Sequence, residues 1–352
     1  MPFGKPLLDL TSDFNSLNFC MLYQDAGVDI KKMNLAKAKI ARLSSSTFSE
    51  LVVSKVGLFG ALFRVPPANK PILVASCDGV GTKLLIAKMM GRFDTVGIDI
   101  VNHSVNDILT LGAKPLFFLD YIAHSDLTVD QITSIVKGLT KACRANKCAL
   151  VGGETAMMPD LYKQGEFDLV GFIVGLVEES SIVDSAKLEP GDIAIGLPSS
   201  GLHTNGYSLA RKIFFEMNKF TVNSELKGLK YTLGMELLRP HRSYYKVIYP
   251  LLSDIKAIAH ITGGGFYENI MRLLPPGRSC IIKKSSWNPP MIFKYIQKFG
   301  DVPEEEMYRI FNMGIGMVIF VHPSKLKEVV RKIGRAYVIG KIVRGTFGVE
   351  VI

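Results

Sequence analysis

Ile72-Leu73-Val74-Ala75-Ser76-Cys77-Asp78-Gly79-Val80-Gly81-Thr82-Lys83 is the stretch that decides how this chain is read. A short apolar, β-branched run that ends in an acid, two glycines and a lysine reads as a strand leaving its sheet through a turn able to handle phosphate. Gly79 and Gly81 let the backbone approach an anion, Asp78 can hold a cation, and Lys83 offers a point charge to phosphate oxygens. The spacing is not the Walker pattern, which separates its glycines by four residues and closes on Gly-Lys-Ser/Thr. A glycine-rich strand exit is also an ordinary tight turn, and both readings stand on this stretch alone.

Outward from this turn, β-branched apolar runs alternate with helical patterns. A helix is expected over 83–91, a strand over 95–100 and a helix over 104–111. Strands over 115–122, 149–153 and 167–177 follow, with a helix over 130–145 between the first two. A boundary near Val183 follows from Glu178, Glu179 and the turn-like segment 188–192. The second half restarts with a strand at 192–197 and a helix at 207–217. Further segments are a helix at 243–252, a strand-to-glycine turn at 258–265, and runs at 279–283, 290–299, 316–321, 324–333 and 337–343. The fold class expected is α/β (α+β) in two domains, 23–182 and 183–352, after an irregular lead-in over 1–22.

Composition narrows the function classes. With 352 residues, 48% hydrophobic and 21% charged, the chain is globular and long enough for about two cores. The net charge of +10 favours anionic partners, but the basic residues are scattered, without a run of five or an aromatic platform. Small anionic substrates therefore fit better than nucleic acid. Cys20, Cys77, Cys143, Cys148 and Cys280 show no metal spacing or paired framework, and an odd count favours a reducing compartment. No apolar segment reaches transmembrane length, and the N-terminus lacks a signal layout. The expected location is the cytoplasm, with no membrane partner.

Three further loops carry polar groups beyond the needs of a turn. Asn102-His103-Ser104-Val105-Asn106-Asp107 is read as opening a helix after the strand at 95–100. There Asp107 either favours the helix dipole or joins Asp78 as an oxygen ligand to Mg²⁺. Glu154, after Gly152 and Gly153, either faces a ligand or is a solvated acid on a permitted turn. Ser199-Ser200-Gly201-Leu202-His203-Thr204-Asn205-Gly206 places hydroxyls, an amide and an imidazole before a helix, which suits an anionic substrate or simple capping. Thr262-Gly263-Gly264-Gly265 is a further glycine turn. No Gly-x-Ser-x-Gly elbow with partners and no full dinucleotide fingerprint is present.

Taken in order, these segments closely resemble the phosphoribosylformylglycinamidine cyclo-ligase (aminoimidazole ribonucleotide synthetase) family of purine biosynthesis. The matching stretches are 23–30, the Asp78 to Lys83 loop, Val96-Gly97-Ile98-Asp99, Val105-Asn106-Asp107 and 115–121. They continue through 150–155, 201–209, Ala259-His260-Ile261-Thr262-Gly263-Gly264-Gly265-Phe266 and Glu306-Met307-Tyr308-Arg309, covering about 23–345. The resemblance implies a homodimeric, ATP-dependent ligase that cyclises formylglycinamidine ribonucleotide through an iminophosphate. It implies an N-terminal mixed sheet that builds a barrel across the two subunits, and a C-terminal sheet flanked by helices. It implies Asp78 and Asp107 as Mg²⁺ ligands, with Asp78, Lys83, Asp107 and His203 catalytic. ATP would meet Gly79, Gly81, Thr82, Lys83, Asn106 and Glu154. Substrate would meet Ser200, Gly201, His203, Thr204, Asn205, Gly263 and Gly264.

The chain departs from the family pattern at Ala41, where Lys is usual, with Lys39 and Arg42 as the replacements at hand. Lys55 and Leu58 stand where Gly is common, Cys77 for Thr and Met313 for Cys. Rival readings are a sister phosphorylating enzyme (selenophosphate synthetase, thiamine monophosphate kinase, the hydrogenase-maturation dehydratase) or a nucleotide-binding protein without turnover. Cys20 lacks the lysine- and glycine-rich setting of the first, and the retained acids weigh against the last.

Overall fold

The computed structural model of the chain describes residues 30–56, 61–346 and 348–352. The lead-in 1–22, the segment 23–29, Cys20 and Leu58 lie outside the described residues. The first half comprises α1 (Ile30–Ser45), β1 (Pro71–Gly79), α2 (Lys83–Met90), α3 (Asp94–Leu109), β2 (Lys114–His124), α4 (Val129–Ala145), β3 (Ala149–Met157) and β4 (Phe167–Glu178). Its four strands run in the order β1-β4-β2-β3, antiparallel except for the β2–β3 pair.

The chief correction concerns 95–100, expected as a strand and found inside the long helix α3. Its β-branched residues have weak helical preference, but Val96, Ile100, Val101 and Val105 are all fully buried. Packing decides the element here, not local propensity. α3 and α4 cross at Gly97 and Gly138, where a Cβ on either would collide with the facing backbone carbonyl. α4 itself is closed at its start by a capping box between Thr128 and Gln131.

The two helices cover one face of the sheet. Along β4, Phe167, Leu169, Gly171 and Ile173 point inward, and along β2 so do Phe118, Asp120 and Ile122. The opposite face carries Leu73, Tyr121 and Phe172, each exposed by more than a third.

The second half comprises β5 (Ile193–Pro198), α5 (Tyr207–Arg211), α6 (Leu233–Leu237), α7 (Tyr245–Ile248), β6 (Ile255–His260), α8 (Gly265–Met271) and β7 (Arg278–Ile282), followed by α9 (Met291–Gly300), α10 (Glu304–Ile310), β8 (Ile315–Val321), α11 (Leu326–Ile333), β9 (Tyr337–Arg344) and β10 (Gly348–Val351). The expected helix over 207–217 is α5 followed by a π-helical turn, Lys212–Met217. The strands order as β10-β7-β9-β5-β8-β6, with β10–β7 the parallel pair. β8 is buried at every residue, which fits its unbroken apolar run. Met317, Ile319 and Val321 meet Ile248 and Val329 on one face, while Val318 and Phe320 belong to the core on the other. Helices thus flank this sheet on both faces, as expected, although both sheets are mostly antiparallel.

Candidate active site

Reading 94–109 as a helix brings out a polar stripe. Asp99, Asn102, His103 and Asn106 recur at helical spacing and share one face of α3. Segment 239–244 of the second half docks on them. The His241 backbone N–H donates to Asp99 Oδ1 at 2.6 Å, and Asn102 Nδ2 donates to the His241 carbonyl at 2.7 Å. Asn106 Nδ2 donates to the Arg242 carbonyl at 2.8 Å, and its Oδ1 accepts from the Tyr244 N–H at 2.9 Å. Asn146 holds Asn102 in turn, donating to its Oδ1 at 2.8 Å.

Where the two halves meet, four of the six histidines cluster around Asp78 and Asp107. His103 Nε2 lies 2.7 Å from Asp78 Oδ2 and 3.3 Å from Asp107 Oδ2. His103 Nδ1 meets Thr204 Oγ1 at 2.9 Å, and that hydroxyl lies 3.4 Å from His241 Nδ1. His241 Nε2 and His260 Nε2 share a 3.0 Å hydrogen bond, and His260 Nδ1 meets Asp107 Oδ1 at 2.7 Å. The result is a closed ring of polar contacts joining both halves.

Electrostatics follow from this ring. Burial acts to lower His103, but its bonds to Asp107 and Asp78 outweigh it and lift the imidazole to about 10. Burial acts to raise Asp78 and Asp107, yet His103 holds the first below its ordinary value, and His103 with His260 holds the second far below. Asp107 sits in the last turn of α3, where the dipole disfavours an acid, so these histidines offset a cost rather than decorate a helix start. Burial drives His203 and His241 well below the usual imidazole range, with neighbouring cationic groups adding to it. Burial also lowers His260, against the pull of Asp107.

The structure brings some expected residues together and not others. Gly79 and Gly81 form the turn beside Asp78, with Gly81 at φ +71°. Thr82 Oγ1 bridges to Ser208 Oγ at 3.1 Å across the two halves. Thr204 is in the ring. Asn205 lies against Gly263, and its buried Nδ2 has no hydrogen-bond partner among the described residues. Ser200 donates its hydroxyl to the Pro240 carbonyl, and the Gly201 carbonyl accepts from Asn312 Nδ2 at 2.9 Å, so both shape the loop. Gly264, at φ +87°, turns the chain into α8.

Four of the expected residues are not brought to the carboxylates. Lys83 is fully buried, its ammonium 2.9 and 2.8 Å from the Asp99 oxygens and donating to the carbonyls of His203 (3.0 Å) and Arg239 (2.8 Å). No donor is left for a phosphate. Asn106 is likewise spent on segment 239–244. Glu154 is exposed on β3, in register with Tyr121 and so on the sheet face opposite Asp78. Three strand spacings separate it from β1, roughly 14 Å. His203 is buried, its Nε2 accepting from the Ser200 N–H at 3.2 Å; the imidazole that reaches both carboxylates is His103. Lys39, a candidate to replace the missing lysine at Ala41, is paired with Asp130 at 3.3 Å. The residues that sequence reading missed are His103, His241, His260 and Asp99. The i, i+4 spacing of His103 and Asp107 was the signal for the first of these.

Two hard carboxylates already converging on one cationic group fit a Mg²⁺ site, since that ion takes one or two carboxylates with phosphate oxygens. A softer metal on His203, His241 and His260 fits less well. Their ring nitrogens lie within 4.8 Å of one another, but His203 stacks on His241 at 3.9 Å and 23°. Stacked rings point their in-plane lone pairs side by side, not at one centre. A cavity of about 240 Å³ opens beside Asp107 and His260, lined also by Thr262, Asn269 and Arg272. A larger cleft of about 800 Å³ lies at the other end of β6, against Lys256 and Lys325, and contains none of these site residues.

Known proteins match this architecture. Residues 60–177 match the family model for the AIR synthase related protein, N-terminal domain, and 189–352 match its C-terminal domain. The phosphoribosylformylglycinamidine cyclo-ligase of Thermoanaerobacter pseudethanolicus is 48% identical over 334 residues, spanning 94% of this chain and 99% of its own. The chain belongs to the phosphoribosylformylglycinamidine cyclo-ligase family. The cyclo-ligase of Pseudothermotoga lettingae is also 48% identical, over 93% of this chain and 98% of its own. Among solved structures, thiamine-monophosphate kinase from Stenotrophomonas maltophilia superposes with a TM-score of 0.66 at 15% identity, covering 92% of this chain and 96% of that one. The hydrogenase maturation protein HypE in complex with ATP superposes at 0.63 and 15% identity, covering 91% and 88%. These two likenesses are of fold alone. No helix among the described residues is long and apolar enough to cross a membrane.

Proposed function

We propose that the chain closes the imidazole ring of 5-aminoimidazole ribonucleotide from formylglycinamidine ribonucleotide, consuming ATP and releasing ADP and phosphate. Family membership makes it an ATP-dependent ligase of purine biosynthesis. The observation that carries the site is the convergence of Asp78 and Asp107 at the junction of the two halves, facing the loop that bears Thr204 and Asn205. An amide oxygen is a poor leaving group. Its attack on the γ-phosphoryl group of ATP gives an iminophosphate and ADP; the neighbouring nitrogen then attacks the same carbon, phosphate leaves, and a proton is lost. Such chemistry needs positioning and charge neutralisation more than a protein nucleophile.

The chain's own residues divide that work. Asp78 and Asp107 are assigned to hold Mg²⁺, which when bound neutralises charge on the transferring phosphoryl group. Gly79, Gly81 and Thr82 are assigned to the nucleotide phosphates at the strand exit, where Gly81 and Thr82 are exposed and Gly79 is half-buried. Asn205 is assigned to a substrate acceptor, because a buried amide donor without a partner gains a hydrogen bond on binding. Gly263 and Gly264 border it, and Ser200, Gly201 and His203 set the loop's course. In this reading, 23–182 handles ATP and dimerisation and 183–352 handles the ribonucleotide.

A homodimer is supported by Leu73, Tyr121 and Phe172, which stand exposed among the described residues on one face of the first sheet, since an exposed apolar patch marks an interaction surface. Glu154 lies on that same face, in register with Tyr121. A cytoplasmic location is supported by Cys77, Cys143, Cys148 and Cys280, all free thiols. Asp78→Asn tests the assignment: turnover is expected to fall by roughly 1000-fold, as for loss of a charge-stabilising group, with the fold and mass unchanged by circular dichroism and light scattering. Turnover like that of the wild type in this variant would remove Asp78 from the site.

A further inference from the structure

We infer that Lys83 and Asp99 are an interdomain positioning pair that sets the substrate loop, and not a phosphate contact. The inference rests on the reading that ATP and formylglycinamidine ribonucleotide meet at this site. The Lys83 ammonium is fully buried and joins three segments: Asp99 on α3, the His203 carbonyl and the Arg239 carbonyl. Asp99 Oδ1 also takes the His241 N–H, so the pair holds both of the second-half loops that face α3. The Tyr207 ring lies 5.6 Å from the same ammonium.

His203 gives the pair its purpose. Its backbone is left-handed, at φ +64°, a conformation that costs a residue with a side chain and persists only where neighbours fix it. Lys83 fixes its carbonyl, and the Ser200 N–H fixes its ring. The next two residues are Thr204 and Asn205, whose side chains meet His103 and Gly263. A buried ion pair is often no more stabilising than an apolar replacement, so stability alone does not account for it. What the pair contributes is placement of a strained loop.

Removing Lys83 alone leaves Asp99 buried without its counter-charge, and that variant is expected to fold poorly. The informative protein is the full-length double variant Lys83→Met/Asp99→Asn, in which Asn retains an oxygen for the His241 N–H. Mg–ATP affinity by calorimetry is expected to match the wild type, while kcat/KM for the ribonucleotide falls roughly 100-fold, the cost of an ångström of misplacement. Hydrogen exchange at amides 201–206 is expected to speed up. A weakened ATP affinity with the ribonucleotide constants unchanged would restore Lys83 to the phosphate and overturn the inference, as would unchanged exchange and kinetics. A wild-type enzyme without turnover would retire the functional reading, and the exchange measurement would still decide the positioning role.

Discussion

Burial alone would take His103 below the 6.5 of a free imidazole, yet Asp107 and Asp78 raise it to about 10 in the folded chain. The folded state therefore binds this proton more tightly than the unfolded state. The stability so gained is complete below pH 6.5 and is lost as pH rises through 10. His103→Gln keeps a hydrogen-bonding side chain and removes the titration. Urea denaturation from pH 6 to 10 is expected to show the wild type losing stability relative to this variant; parallel curves would mean that His103 is neutral between the carboxylates. Residues at this scale were partly legible. Asp78 and Asp107 could be named because acids beside glycines invite a cation. The buried fates of Lys83, Asn106 and His203 could not, because a motif says what a side chain can do and not whether, as at Lys83, two carbonyls and a carboxylate already surround it.

Elements were legible where one period dominates. β4 is a long, mostly apolar run, and β8 is an unbroken one. α3 was not, because Thr95, Val96, Ile98 and Ile100 look like a strand until their burial against α4 is known. That misreading also hid the polar stripe, whose helical spacing exists only if 94–109 is one helix. Asp120 of β2 belongs at this scale too. It points into the helix-covered face, and burial, with the Glu154 charge adding, raises its carboxyl to about 7. A raised acid favours the folded state at low pH and loses that advantage as pH climbs through 7. Asp120→Asn is therefore expected to raise the melting temperature by several degrees at pH 8 and to leave it unchanged at pH 4. A lower melting temperature at pH 8 would mean that the charged form is compensated within the sheet.

At the scale of the molecule, two sheets were foreseeable from the restart of alternation after 183, but not their strand orders, which depend on pairings far apart in sequence. The first sheet leaves Leu73, Tyr121 and Phe172 in the open. If a second copy covers them, Phe172→Glu is expected to convert a dimer into a monomer by sedimentation; a wild-type monomer would leave that face for another partner. The interlock of the two halves is more distinctive. Segment 239–244 is held by hydrogen bonds with three side chains of one helix, and the ring of polar contacts around the histidines is complete only when both halves contribute.

The central claim is ring closure powered by ATP at Asp78 and Asp107. It is tested most directly by incubating the purified chain with Mg–ATP and formylglycinamidine ribonucleotide, following the aromatic amine of the product by colour and ADP alongside it. Equal amounts of amine and ADP from the wild type, and neither from Asp78→Asn, are expected. ATP bound and no amine formed by the wild type would contradict the claim and point to a sister phosphorylating activity or a protein without turnover.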